Sequence, residues 1–144
     1  MLFGLNAAGE SCVLINGTVP SDVTKTSLIW RAAAAPADNS GTEDMGVAFD
    51  RSMLSSPGSK FILAQMPVSA SSEVFMHATD TVDYLVMLEG EVELILKAGV
   101  VRLGPGDLVV DRGIIHGWRN AGSGQATFAS IMIEARPLEA GPAD

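Results

Sequence analysis

Short runs of Val, Ile and Leu, separated by glycine- and proline-bearing turns, occupy most of this 144-residue chain. No long stretch carries the 3.6-residue apolar stripe of an amphipathic helix. The runs Val13–Ile15, Thr26–Trp30, Phe61–Met66, Val82–Leu88, Val92–Leu96, Val100–Leu103, Leu108–Val110 and Phe128–Ile133 read as strands. Glu89-Gly90 breaks two of them, Lys97-Ala98-Gly99 forms a short hairpin connection, and Gly104-Pro105-Gly106 is another turn. Many short strands at close spacing predict an all-β sandwich or barrel. Ala32 to Ala35 offers one turn of helix, which Pro36 ends. Residues 36–59 read as an irregular connection around a short strand at Val47–Phe49, of the length that often serves as a functional lid or an ordered excursion. The tail from Pro137 to Asp144 is expected to fray.

The length fits one domain, 1–144, with its core at about residues 25–135, and 47% apolar residues can fill that core. The net charge of −8 argues against nucleic acid and against an anionic membrane surface, both of which need a basic patch. Cys12 is the only cysteine, so no intrachain disulfide forms. The first ten residues lack the basic and apolar regions of a signal peptide, and no stretch of 18 apolar residues occurs. A cytoplasmic protein is the expectation.

Only two histidines occur, His77 and His116. Strand alternation gives Phe75 and Thr79 the same face as His77. Asp83, Leu85 and Met87 share a face on the next strand, and Ile114, Trp118 and Asn120 share one around His116. The predicted interior combines two imidazoles, a carboxylate, a hydroxyl and an indole, with Phe75, Thr79, Met87, Ile114 and Trp118 lining a ligand pocket. Two histidines and one carboxylate suit a divalent ion such as Fe, Mn, Ni or Zn. They equally suit a metal-free pocket of hydrogen-bonded histidines. Asp107 reads as a turn residue, Tyr84 as packing and Arg119 as an outer-face side chain. Arg112 reads as a solvated turn arginine, with the alternative that it draws a carboxylate to the mouth.

These stretches resemble the two motifs of the cupin superfamily. The first motif matches at His77, Thr79, Asp83 and Gly90, and the second at Gly106, Asp107, Gly113, His116 and Asn120. The stretches around Ile29-Trp30-Arg31, His77 to Tyr84 and Asp111 to Asn120 resemble small bacterial single-domain cupins with relatives beside fungal polyketide pathways. The resemblance implies a conserved β-barrel (a double-stranded β-helix, or jelly roll). It implies a site at His77, Asp83 and His116, as metal ligands or as catalytic acid/base groups. Thr79 stands where a typical metal cupin carries a second histidine. The implied function is that of an enzyme acting on a small aromatic or polyketide-like carboxylic acid by decarboxylation, isomerisation or oxygen-dependent cleavage. The alternatives are a metal-free binding or sensor module and a structural dimer with a vestigial pocket. A homodimer is expected, with residues 11–31 as the contributor at a sheet edge.

Overall fold

The computed structural model describes residues 1–21, 26–68 and 73–138. Eleven strands and one short 3-10 helix follow in chain order: β1 (Leu2–Leu5), β2 (Ser11–Ile15), β3 (Ser27–Ala32), β4 (Val47–Ala48), the helix (Arg51–Ser55), β5 (Ser59–Met66), β6 (Thr81–Glu89), β7 (Val92–Leu96), β8 (Gly99–Leu103), β9 (Leu108–Asp111), β10 (His116–Asn120) and β11 (Ala126–Glu134). The fold is all-β, and each predicted strand run has its counterpart. β1 lies in a stretch without strand patterning, and Ala32 to Ala35 makes bends instead of a helical turn. Of the expected frayed tail, residues 139–144 lie outside the described residues.

A six-stranded sheet runs β4-β3-β5-β11-β6-β9, a three-stranded sheet runs β10-β7-β8, and β1-β2 forms a separate hairpin. β11 is the central strand of the large sheet, antiparallel to β5 on one side and β6 on the other. Alternation sends Leu85 and Met87 of β6 inward, where Val92 and Leu94 of β7, Leu103 and Phe128 meet them. A second cluster, Leu28, Ile62 and Met132, is capped by Phe49, Met53 and Leu54 from the 36–59 segment. Each such buried side chain contributes about 1.5–3 kcal/mol relative to exposure. The 36–59 segment, between β3 and β5, is therefore an ordered excursion packed on the core and no free lid. Its 3-10 helix starts at Asp50, whose carboxylate accepts the Ser52 N–H at 2.9 Å, and its apolar side chains seal one end of the core.

One tight passage fixes the β6–β7 turn. Gly90 has φ +70°, and a Cβ there would lie 2.5 Å from the Gln125 carbonyl oxygen, so only glycine fits without a shift. Among the described residues, no helix is long and apolar enough to cross a membrane.

Candidate active site

The interior between the two sheets holds a cavity of about 620 Å³, in the range of small-molecule sites. His77, Asp83, Asp111 and His116 line it, with Phe75, Trp118 and Phe128 among its apolar walls. His77 lies outside any strand but pairs its backbone with His116, each N–H donating to the other carbonyl at 2.9 Å. That bridge brings the two rings edge to face with centroids 4.6 Å apart. Phe75 stacks on His77, and Trp118 stands edge-on to His116 and stacks on Phe128. The cavity thus combines an aromatic wall, with Trp118 from the small sheet and Phe128 from the large one, and a polar row on the large sheet.

That polar row follows from register. Asp111 on β9 pairs with Asp83 on β6, Asp83 pairs with Met132 on β11, and Met132 pairs with Lys60 on β5. Cross-strand partners share a face, so the two carboxylates reach the cavity at one level and Lys60 lies buried on the same face, outside the cavity lining. Lys60 is 1% exposed and donates to the Ser56 carbonyl at 2.6 Å. Its pKa is lowered by burial, against the opposing pull of Asp83 and Glu134.

His116 is buried, and its Nδ1 lies 2.6 Å from Asp111 Oδ2 and 3.2 Å from the Ile114 carbonyl oxygen. The contact with Oδ2 is close but poorly aligned, since that oxygen completes no hydrogen bond of good geometry. Both neighbours of Nδ1 are acceptors, so the proton belongs on Nδ1 and the lone pair on Nε2. Asp111 Oδ1 accepts from Gly113 N–H at 2.9 Å and Ile114 N–H at 3.1 Å. Although burial acts to raise its pKa, the close contact with His116 and the hydrogen bonds from these backbone groups prevail and hold Asp111 below the ordinary carboxylate value. Asp83 goes the other way. Burial raises its pKa and the nearby Asp111 adds to the rise, against a Thr81 hydrogen bond that lowers it. Its Oδ1 has no hydrogen-bond partner among the described residues. The His77 pKa is lowered by burial and, secondarily, by the facing His116.

Of the side chains expected around the pocket, Phe75 and Trp118 line the cavity and Thr79, Met87 and Ile114 do not. The Thr79 hydroxyl is turned to the Thr81 hydroxyl at 2.8 Å, because residue 79 lies beyond the His77 bridge where strand alternation no longer holds. Met87 shares the face of Asp83 but lies deeper, packed into the core. Ile114 serves the site through its backbone, at the turn that Asp111 organises. Arg119 borders the cavity, and its side chain pairs with its cross-strand partner Glu93 at 2.8 Å, on the face of β10 opposite to His116 and Trp118, as expected of an outer-face residue. Asp107 is a turn residue, accepting from Gly104 N–H at 2.8 Å. Asp111 escaped the sequence reading because an Asp before Arg112-Gly113 looks like a turn residue. Its placement opposite Asp83 is a matter of register.

The metal expectation meets a geometric obstacle. Among the described residues, no three His, Cys, Asp or Glu side chains gather as an ion would require. With its Nδ1 proton directed at Asp111, His116 could offer an ion only Nε2. As arranged, His77, Asp83 and His116 do not fit a three-ligand centre.

The Cupin domain family (Cupin_2) matches residues 62–133, half of the chain. The chain belongs to the cupin family. Phomopsin biosynthesis cluster protein D of Diaporthe leptostromiformis is 35% identical over 121 residues, covering 78% of this chain and 62% of that protein. A cupin-domain-containing oxidoreductase of Neurospora crassa is 29% identical over 114 residues, covering 78% and 58% respectively. The chain therefore spans about three fifths of the length of these curated relatives, which are fungal. Among solved structures, the cupin domain of Schizosaccharomyces pombe Cnp3 is 18% identical over 54% of this chain and 57% of that one, with a TM-score of 0.47. Cupins often bind divalent metals and small ligands, and the all-β, two-sheet architecture described above is consistent with the cupin jelly roll.

Proposed function

We propose that this cupin is an enzyme that moves a proton on a small carboxylic acid with an unsaturated or aromatic body, as an isomerase does. The observation that carries this reading is the buried Asp111–His116 pair facing the cavity, with Asp83 beside it. In that scheme Nε2 of His116 takes a proton from a carbon next to a carbonyl group. Asp111 holds the ring and stabilises the imidazolium that forms. Asp83 keeps its proton to higher pH than an ordinary carboxyl and gives it to the carbonyl oxygen as charge develops there. The resulting enol regains a carbon-bound proton from His116 at a second position, and the hydroxyl proton returns to Asp83. Two carboxylates with pKa values pushed apart are a recurring sign of such a division of labour. The aromatic wall of Phe75, Trp118 and Phe128 supports a flat substrate.

The test is deuterium uptake from D₂O into a panel of small aryl and unsaturated oxo acids, followed by proton NMR. Parent protein and His116→Asn are compared, each with and without chelator. The expected result is uptake that the substitution abolishes and chelator leaves unchanged. Uptake that disappears on chelation, and returns with Fe, Mn, Ni or Zn, would replace this reading with a metal-dependent one. Oxygen consumption in place of exchange would favour the oxidoreductase chemistry named for the Neurospora relative. Binding without either would favour a non-catalytic ligand module.

A homodimer is part of the proposal. The outer face of the large sheet carries an unbroken apolar row, Trp30–Phe61–Ile131–Tyr84–Val110, across five strands. The last four of these are 41–65% exposed. An apolar row of that extent, bordered by the β1-β2 hairpin with its exposed Phe3 and Leu5, supports self-association.

A further inference from the structure

We propose that Arg51 is the carboxylate anchor of the cavity, so that the ligand is a small monoacid with its flat body on the aromatic wall and its carboxylate at the mouth. The inference rests on the reading of this cavity as the substrate site and names the group that selects the substrate class.

Arg51 is the first residue of the 3-10 helix and lines the cavity. Its Cζ sits 4.3 Å from the centroid of the Phe75 ring, which itself stacks on His77. A guanidinium laid on an aromatic face holds its plane while its edge N–H groups stay available. A carboxylate fits that edge with two parallel hydrogen bonds. The helix is held in place by Met53 and Leu54, which pack against the Leu28, Ile62 and Met132 cluster, so the guanidinium is carried by an anchored element.

The carboxylate next to Arg51 in the chain is engaged elsewhere. The adjacent carboxylate, Asp50, caps the helix by accepting from the Ser52 N–H and hydroxyl. Those hydrogen bonds hold its pKa below the ordinary value. The other arginine lining the cavity, Arg119, is paired with Glu93. Arg51 is in none of the ion pairs among the described residues. In a chain of net charge −8, an anion entering a cavity that already holds Asp83 and Asp111 needs a local cation, and Arg51 is placed to supply it.

The probes are benzoate and its neutral counterpart benzamide, titrated against the parent, Arg51→Gln and Arg51→Lys. The readout is the Trp118 indole N–H resonance, with circular dichroism checking the fold. The expected result is a parent preference for the acid of about tenfold or more, lost in Arg51→Gln and partly kept in Arg51→Lys. Equal binding of acid and amide by the parent would overturn the proposal. So would an acid preference that survives Arg51→Gln, or no response to either probe at tens of millimolar. His116→Asn is expected to keep the acid preference while losing deuterium exchange, so failure of the anchor and failure of the proton-transfer chemistry register in different measurements.

Discussion

Asp83 on β6 and Asp111 on β9 are direct cross-strand partners, and their surroundings drive the two carboxyl groups in opposite directions. Two like charges at such a position repel, so one carboxyl is better left protonated. Asp111 has the better partners, namely His116 and the backbone N–H groups of Gly113 and Ile114. Asp83 has a buried setting and an Oδ1 without a hydrogen-bond partner among the described residues, and its pKa is raised. That contrast supports the proposed division between an acid, Asp83, and a carboxylate that orients the base, Asp111.

The first prediction concerns the pH dependence of stability. A carboxyl whose pKa is raised by folding holds a proton that the unfolded chain has released. Folding then takes up a proton, and stability falls as pH rises from the ordinary carboxylate value through the raised one. Asp83→Asn removes that titration. The variant is expected to melt higher than the parent above this window, with the advantage shrinking as pH falls toward the unperturbed value of about 4. Asp111 has the reverse sign: its contribution is present above the ordinary carboxylate value and is lost as pH drops through its lowered pKa. Melting temperatures of parent, Asp83→Asn and Asp111→Asn across acid to neutral pH check both signs, and a pH-independent Asp83→Asn difference would refute the first.

A second prediction concerns the Asp111–His116 pair. His116→Asn should lower exchange by about 10²–10⁴-fold, the usual worth of a positioned general base. Asp111→Asn should cost a similar factor, because an amide beside Nδ1 no longer fixes the proton there. The two losses should not add in the double variant, since both residues act on one proton. Additive losses would mean that Asp111 does not work through His116.

Much of this was readable from the chain, for separable reasons. Strand positions follow from Val-, Ile- and Leu-rich runs between glycine turns, which is local information, and β7 begins and ends where its run does. The pairing of His77 with His116 follows from motif spacing. Asp111, Arg51 and Lys60 were not legible, because their roles depend on which strands lie side by side. An arginine in the 36–59 connection looks solvated until Phe49, Met53 and Leu54 are seen to pin that connection to the core. Thr79 and Met87 failed as pocket residues because parity gives a face but not a depth, and because alternation stops where the chain leaves the strand.

The turn between β9 and β10 gives a third prediction. Gly113 has φ +76°, and a Cβ there would lie 2.8 Å from the Thr79 carbonyl oxygen, while its N–H holds Asp111 Oδ1. Gly113→Ala must strain the backbone or shift the 79–81 segment, at an expected cost of about 1–3 kcal/mol. Because the same turn positions Asp111, exchange activity should fall even where the variant is folded. Chemical denaturation with an activity assay at low temperature checks this, and a variant of parental stability and activity would show that the turn is not constrained as described.

The last prediction tests self-association through the outer face of the large sheet. Ile131 lies in the middle of the apolar row, flanked by Phe61 on β5 and Tyr84 on β6, and is 43% exposed. It points away from the cavity, since its neighbours Ser130 and Met132 are the buried ones on β11. A lysine here puts a charge at the centre of any interface formed by this face while leaving the interior untouched. If two copies meet through the row, Ile131→Lys should weaken the dimer by about 2 kcal/mol or more, roughly a 30-fold rise in its dissociation constant. Light scattering coupled to size exclusion, at several protein concentrations, reads this directly. The His116 and Trp118 resonances should stay at their parental positions, because the cavity lies on the opposite face. A parent that is monomeric at every concentration, or an Ile131→Lys variant as dimeric as the parent, would remove this face as the interface.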